Sequence, residues 1–177
     1  MDKYLPIRNL RKIVSNVVYE QETYRNKATS IANNLNLALV HADSNFGLES
    51  NDQYLYKYYL HFGNLGLSLR SHGAFTHGPI YCDFNSNKIL YRRRYGGGNG
   101  QALAKAIGVT DKCKPRVLDL TAGLGTDSFI LASLGCEILM LERNPVVYEL
   151  LCDGLARASK RASHDKMLSS IVNRLSL

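Results

Sequence analysis

Asp119, Gly123, Gly125 and Glu142 are the residues whose types and spacing could do chemistry in this 177-residue chain. They fall within RVLDLTAGLGTDSFILASLGCEILMLERNPVVYELLCDGL, residues 116–155. A glycine lets backbone approach a ligand where a Cβ would collide with it. The start of a helix after such a turn offers N–H groups with no partner inside the helix. Glu142 follows Gly125 by 17 positions, where a carboxylate at a strand end can accept hydrogen bonds from two ribose hydroxyls. Asp119, closing the strand before the turn, can face a cationic group directly or through water.

The glycines do not complete a dinucleotide fingerprint. Gly-x-Gly-x-x-Gly needs its third glycine for close helix–strand packing, and the run here is Gly123-Leu124-Gly125-Thr126-Asp127-Ser128. Asp127, in the first helical turn, would also repel a pyrophosphate. A ligand that carries a ribose and a cationic or zwitterionic group, but no phosphate, fits better. S-adenosyl-L-methionine is such a ligand. A plain βα turn of any α/β protein, with Asp127 favouring the helix dipole, stays open as the alternative. Half of an NAD-type dehydrogenase is disfavoured by Ser128 and the absent third glycine.

These residues demand a particular frame. Residues 116–120 form a short apolar run with β-branched character, and 136–141 a second, ending on Glu142. Both read as strands covered on two faces. Residues 126–134 carry helical apolar spacing. Asn144 and Pro145 are a helix start signal, cap followed by first-turn proline, and 167–175 reads as one more helix. The order is strand, turn, helix, strand, helix: the opening βαβα of a Rossmann-like sheet, with only two parallel strands expected.

The segments DLTAGLGTDSFILASLGCEILMLERNPVVYELLCDGLARA and, upstream, YRRRYGGGNGQALAKAIGV resemble the bacterial small-subunit ribosomal RNA methyltransferase J family. The resemblance is strong over about residues 80–159 and loose before them. It implies an enzyme of the class I S-adenosylmethionine methyltransferase fold. It implies methyl transfer to the exocyclic N2 of a guanine, with 16S rRNA or the small ribosomal subunit as partner. It also implies cofactor contacts at Thr126 and Asp127 after the turn, and at Glu142 and Arg143 after the second strand. The chain departs from the family pattern at Thr126 and Asn99, where arginine is usual, and at Gln101, where glutamate is usual. A backbone contact at 126 survives that change and a side-chain contact does not.

Family members continue beyond the position of Leu177, into an Asp-Pro-x-x-Pro-type loop. Pro6, Pro79, Pro115 and Pro145 are the four prolines, and none follows an aspartate. The resemblance thus implies the front two-thirds of an enzyme, with no catalytic residue to name, inactive alone and prone to self-association through an incomplete sheet edge. A non-catalytic RNA-binding remnant, or half of a split enzyme, is the alternative.

The first half of the chain reads as a small α+β domain, 1–95, joined to the methyltransferase part, 114–177, through a glycine-rich loop and connecting helix, 96–113. Strands are expected at 12–19, 37–41, 54–62 and 65–70, the last two meeting at Gly63-Asn64, with a helix over 22–35. Residues 80–84 and 88–92 read as another hairpin, and 101–107 as a short helix stopped by Gly108. The aromatic strand YLYKYYLHF could stack RNA bases or alternate its rings between core and solvent. Arg92, Arg93 and Arg94, before Gly96–Gly100, are the candidate RNA-binding residues. Arginine grips phosphate bidentately, and the alternative is a solvated strand end with a glycine hinge.

The formal charge is +7. Residues 1–100 hold 12 Lys+Arg against 7 Asp+Glu, and residues 101–177 hold 10 against 8. The basic excess suits a polyanionic partner such as RNA, or ordinary solubility. Cys82, Cys113, Cys136 and Cys152 show no C-x-x-C spacing and read as reduced thiols of a cytoplasmic protein. No signal peptide or bilayer-spanning run is visible. The five histidines form no ligand-like pair, so no metal is expected.

Overall fold

The computed structural model describes residues 14–44, 57–72, 78–86, 89, 91, 92 and 98–177. The chain divides into two compact units, Met1–Tyr81 with Asn144–Leu150, and Cys82–Arg143 with Leu151–Leu177.

The first unit is a four-stranded sheet in the order β2-β1-β3-β4. Its strands are β1 (Val14–Tyr19), β2 (Ala38–His41), β3 (Tyr58–Gly63) and β4 (Gly66–Ser71). Helix α1 (Glu22–Leu35) crosses from β1 to its parallel neighbour β2. Ala28, Ile31, Ala32 and Leu35 are the buried residues of α1; their spacing is the apolar stripe of an amphipathic helix. The helix ends where Asn36 turns left-handed at φ 53°, a conformation asparagine tolerates better than most residues. β3 and β4 are antiparallel, with Gly63 opposite Gly66, so the hairpin turns at Asn64-Leu65, one residue beyond Gly63-Asn64. Residues 12–13 and 54–56 of the expected strands lie outside the described residues.

His61 is buried on β3, 6% exposed. Its Nε2 lies 3.1 Å from Glu20 Oε1, and its Nδ1 has no hydrogen-bond partner among the described residues. Burial lowers its pKa, Arg70 adds to the lowering, and Glu20 only opposes them. Burial lowers His72 likewise. The folded state therefore binds fewer protons here than the unfolded chain. This contribution to stability is full above the unfolded imidazole value of about 6.5 and is lost as pH falls from there towards the lowered folded value. The melting temperature should drop over that interval, and His61→Gln should flatten the drop. An unchanged pH slope in scanning calorimetry would remove His61 from this role.

The second unit is a parallel sheet, β5 (Arg116–Asp119), β6 (Glu137–Met140) and β7 (Leu175–Ser176), in that spatial order. A third parallel strand is thus present where two were expected. β7 begins after α5 (Lys166–Val172). Asp165 caps α5 by accepting from the Met167 and Leu168 amides, and the helix is shorter than the 167–175 reading. β5 reaches β6 through α3 (Thr126–Ser133), and α4 (Pro145–Ala162) follows β6. Asn144 Oδ1 accepts from the Val146 and Val147 amides at 3.0 and 3.3 Å, a cap as the sequence signals. Upstream, a 3-10 turn (Gly98–Gly100) leads into α2 (Ala102–Ala106), and Gly108 closes that helix region at φ +78°.

Two expectations fail in ways that matter. The 80–84/88–92 hairpin does not form among the described residues. Ile80 instead exchanges both backbone hydrogen bonds with Leu69, Cys82 and Phe84 are each 1% exposed in the core of the second unit, and Ile89, Tyr91 and Arg92 are helical. Among the described residues, the sheet of the second unit is also covered on one face only. Ile138 and Met140 are buried, while Leu118 and Leu139 are 54% and 46% exposed. The apolar runs conceal this, because both faces of β6 carry hydrophobic residues, Ile138 and Met140 on one and Leu139 on the other.

Candidate functional site

The turn between β5 and α3 gathers the expected residues at the carboxyl ends of the strands, where open α/β sheets bind ligands. The ladder runs on past the strands: the Leu141 amide donates to the Asp119 carbonyl at 2.7 Å, and the Ala122 amide to the Leu141 carbonyl at 3.1 Å. The chain then tightens, with the Gly125 amide on the Ala122 carbonyl at 2.8 Å. Gly123 and Gly125 are both left-handed, φ +55° and +72°, which is why glycine stands at each.

The two glycines differ in what surrounds them. A Cβ on Gly125 would sit 2.9 Å from both Leu151 Cδ1 and Phe84 Cζ, inside the packed core. A Cβ on Gly123 would meet nothing among the described residues nearer than the Thr121 carbonyl at 4.0 Å. Gly125 therefore answers to packing, and Gly123 leaves an open space over the strand ends.

Both carboxylates are fixed around that space. Glu142 Oε2 accepts from the Gly123 amide at 2.9 Å. Asp119 Oδ1 accepts from the Thr121 amide at 3.1 Å, and its Oδ2 accepts from Ser128 Oγ at 2.5 Å. Ser128 is fully buried. It occupies the third-glycine position of the fingerprint, and its hydroxyl spans the close helix–strand approach. In the sequence Ser128 only speaks against a dinucleotide; the signal for its role is the position itself, three residues into α3 and facing the strand that ends on Asp119.

Thr126 is half-buried and Arg143 exposed. Asp127 receives Arg92 Nη1 at 2.6 Å, a pair with side chains 60% and 37% exposed. An expected cofactor contact and an expected RNA contact are thus joined to each other. Arg93, Arg94 and residues 96–97 of the glycine loop lie outside the described residues. No disulfide joins the described cysteines, no group of three or more His, Cys, Asp or Glu that could hold a metal occurs among the described residues, and no helix of the described residues is long and apolar enough to cross a membrane.

Residues 25–177 match the sequence family described as "Putative SAM-dependent methyltransferase". The chain belongs to this SAM-dependent methyltransferase family. It is 43% identical over 155 residues to the ribosomal RNA small subunit methyltransferase J of Pseudomonas fluorescens Pf0-1, covering 88% of this chain and 54% of that protein. It is 42% identical over 142 residues to the protein of the same name from Coxiella burnetii RSA 331, covering 80% and 52%. The crystal structure of a SAM-dependent methyltransferase from Neisseria gonorrhoeae superimposes with a TM-score of 0.63 at 29% identity, over 92% of this chain and 59% of that one. The chain spans about half the length of the curated relatives it matches. The fold is the Rossmann-like α/β arrangement that the motif order requires.

The residues present fit the family's cofactor. Glu142 is a carboxylate anchored at a strand end beside an open glycine, and a carboxylate offers about four acceptor sites, enough to take ribose hydroxyls in addition to the Gly123 amide. Asp119 places a second carboxylate at the end of β5, held by the Thr121 amide and Ser128 Oγ.

Proposed function

We propose that this chain binds S-adenosyl-L-methionine over Gly123 and belongs to an enzyme that methylates guanine N2 in 16S rRNA of the small ribosomal subunit. The observation that carries the reading is the pair of held carboxylates, Glu142 on the Gly123 amide and Asp119 on Ser128, flanking a glycine with open space above it. Glu142 and Asp119 are the ribose and ammonium acceptors. Gly123, Gly125, Thr126, Asp127 and Arg143 complete the cofactor surroundings. The bound cofactor supplies an electrophilic methyl group on a sulfonium. The protein's residues orient it, which is the main source of rate in an in-line displacement. Arg92, Arg93 and Arg94 are the RNA contacts, and the substrate implies a cytoplasmic location. The relatives named ribosomal RNA small subunit methyltransferase J support the substrate class.

Titration calorimetry of the 177-residue chain should show S-adenosylhomocysteine binding and no NAD binding. Binding of neither ligand would favour an RNA-binding remnant, and binding of NAD alone a dehydrogenase half. RNA affinity should fall on neutralising Arg93 and Arg94, with a log–log salt slope smaller by roughly one unit per lost phosphate contact. An unaltered slope would take these arginines off the RNA path.

A further inference from the structure

Cys82 precedes the glycine turn by some forty residues, yet it touches the turn's backbone directly. Its Sγ donates to the Leu124 carbonyl at 3.2 Å. That carbonyl belongs to the peptide joining Leu124 to Gly125, and the N–H of the same peptide donates to the Ala122 carbonyl at 2.8 Å. The peptide plane is therefore held at both ends. Its orientation sets ψ of Leu124 and φ of Gly125, between the two left-handed glycines.

Cys82 is itself seated by α4. A Cβ on Gly154 would overlap the Cys82 sulfur and fall 2.6 Å from Cys82 Cβ and 3.1 Å from its carbonyl oxygen. Only glycine at 154 leaves the thiol its place. One turn on, Arg157 donates through Nη2 to the Cys82 carbonyl and through Nε to Asp153 Oδ2 at 2.8 Å. The Asp153 side chain is only 7% exposed. Phe84, two residues beyond Cys82, stacks on Phe129 with ring centroids 5.1 Å apart and presses against Gly125.

We propose that Cys82, seated over Gly154, is a positioning residue that fixes the Leu124–Gly125 peptide and so presets the turn for cofactor. The proposal rests on the reading of that turn as the cofactor site. Burial pushes the Cys82 thiol up to about 12, so it keeps its proton, and its donor, at neutral pH. A thiol is a weak donor, but the Leu124 carbonyl it meets belongs to a peptide whose rotation would reshape the turn. A cysteine serving only as filler would not need a partner there.

The test uses the full chain carrying Cys82→Ala, Cys82→Ser or Gly154→Ala. The readouts are amide hydrogen exchange at Gly123 and Gly125, S-adenosylhomocysteine affinity, and melting temperature. Cys82→Ala should speed exchange at Gly125 by about tenfold, the response of a locally loosened segment, and weaken the ligand by roughly threefold, the size of a weak hydrogen bond. Cys82→Ser keeps a donor and should restore both to within about twofold even if its melting temperature falls. Gly154→Ala should resemble Cys82→Ala. Wild-type exchange in Cys82→Ala, or Cys82→Ser as impaired as Cys82→Ala, would overturn the proposal and leave Cys82 a packing residue. Failure of the wild-type chain to bind the ligand would overturn the cofactor reading, while exchange at Gly125 would still decide what Cys82 does to the turn.

Discussion

Gly125→Ala is expected to destabilise the second unit by about 2–5 kcal/mol. An L-residue in the left-handed region costs about 1–2 kcal/mol, and forcing a methyl group into a packed core costs about 1–3 kcal/mol more. Both terms apply, because Gly125 combines φ +72° with Leu151 and Phe84 carbons 2.9 Å from the Cβ position. Gly123→Ala carries the first term alone, since its Cβ would point into open space. It should lose about 1–2 kcal/mol of stability and yet lose more cofactor affinity, because the methyl occupies the ligand's side of the turn. Urea denaturation and titration calorimetry on the two variants separate the effects. Equal stability losses would mean that the Gly125 surroundings relax. Unchanged affinity in Gly123→Ala would take the ligand away from Gly123.

Glu142→Ala should weaken cofactor binding by about 1.5–3 kcal/mol, the scale of hydrogen bonds to a charged group, or roughly tenfold to a hundredfold. Two losses combine. The ribose acceptor disappears, and the Gly123 amide, now served by Glu142 Oε2 at 2.9 Å, loses its partner. Glu142→Gln separates them, because an amide oxygen still serves Gly123 but lacks the charge. It should fall between wild type and alanine. Glu142→Ala with wild-type affinity in calorimetry would sink the ribose assignment. Glu142→Gln as weak as Glu142→Ala would show that charge, and not the hold on Gly123, carries the effect.

Local sequence was enough for features whose cause is local. The α1 stripe, the Asn144 cap, the glycine turn and the strand ending ahead of Glu142 follow from periodicity, capping chemistry and backbone permission, all acting within a few residues. Motif order likewise sufficed for the Rossmann-like class. Tertiary structure decided the rest, because the deciding partners are distant in sequence. Ile80 pairs with Leu69 in place of the local hairpin. Cys82 and Phe84, in a segment that reads as part of the N-terminal domain, pack behind the turn instead. Leu175 and Ser176 add a third strand through partners at Ile138 and Leu139. The open face of the sheet was hidden for another reason: an apolar run does not say which of its two faces another element covers. Ser128 shows both limits together. Its type and position were legible, but its hydrogen bond to Asp119 exists only because the fold brings α3 against β5.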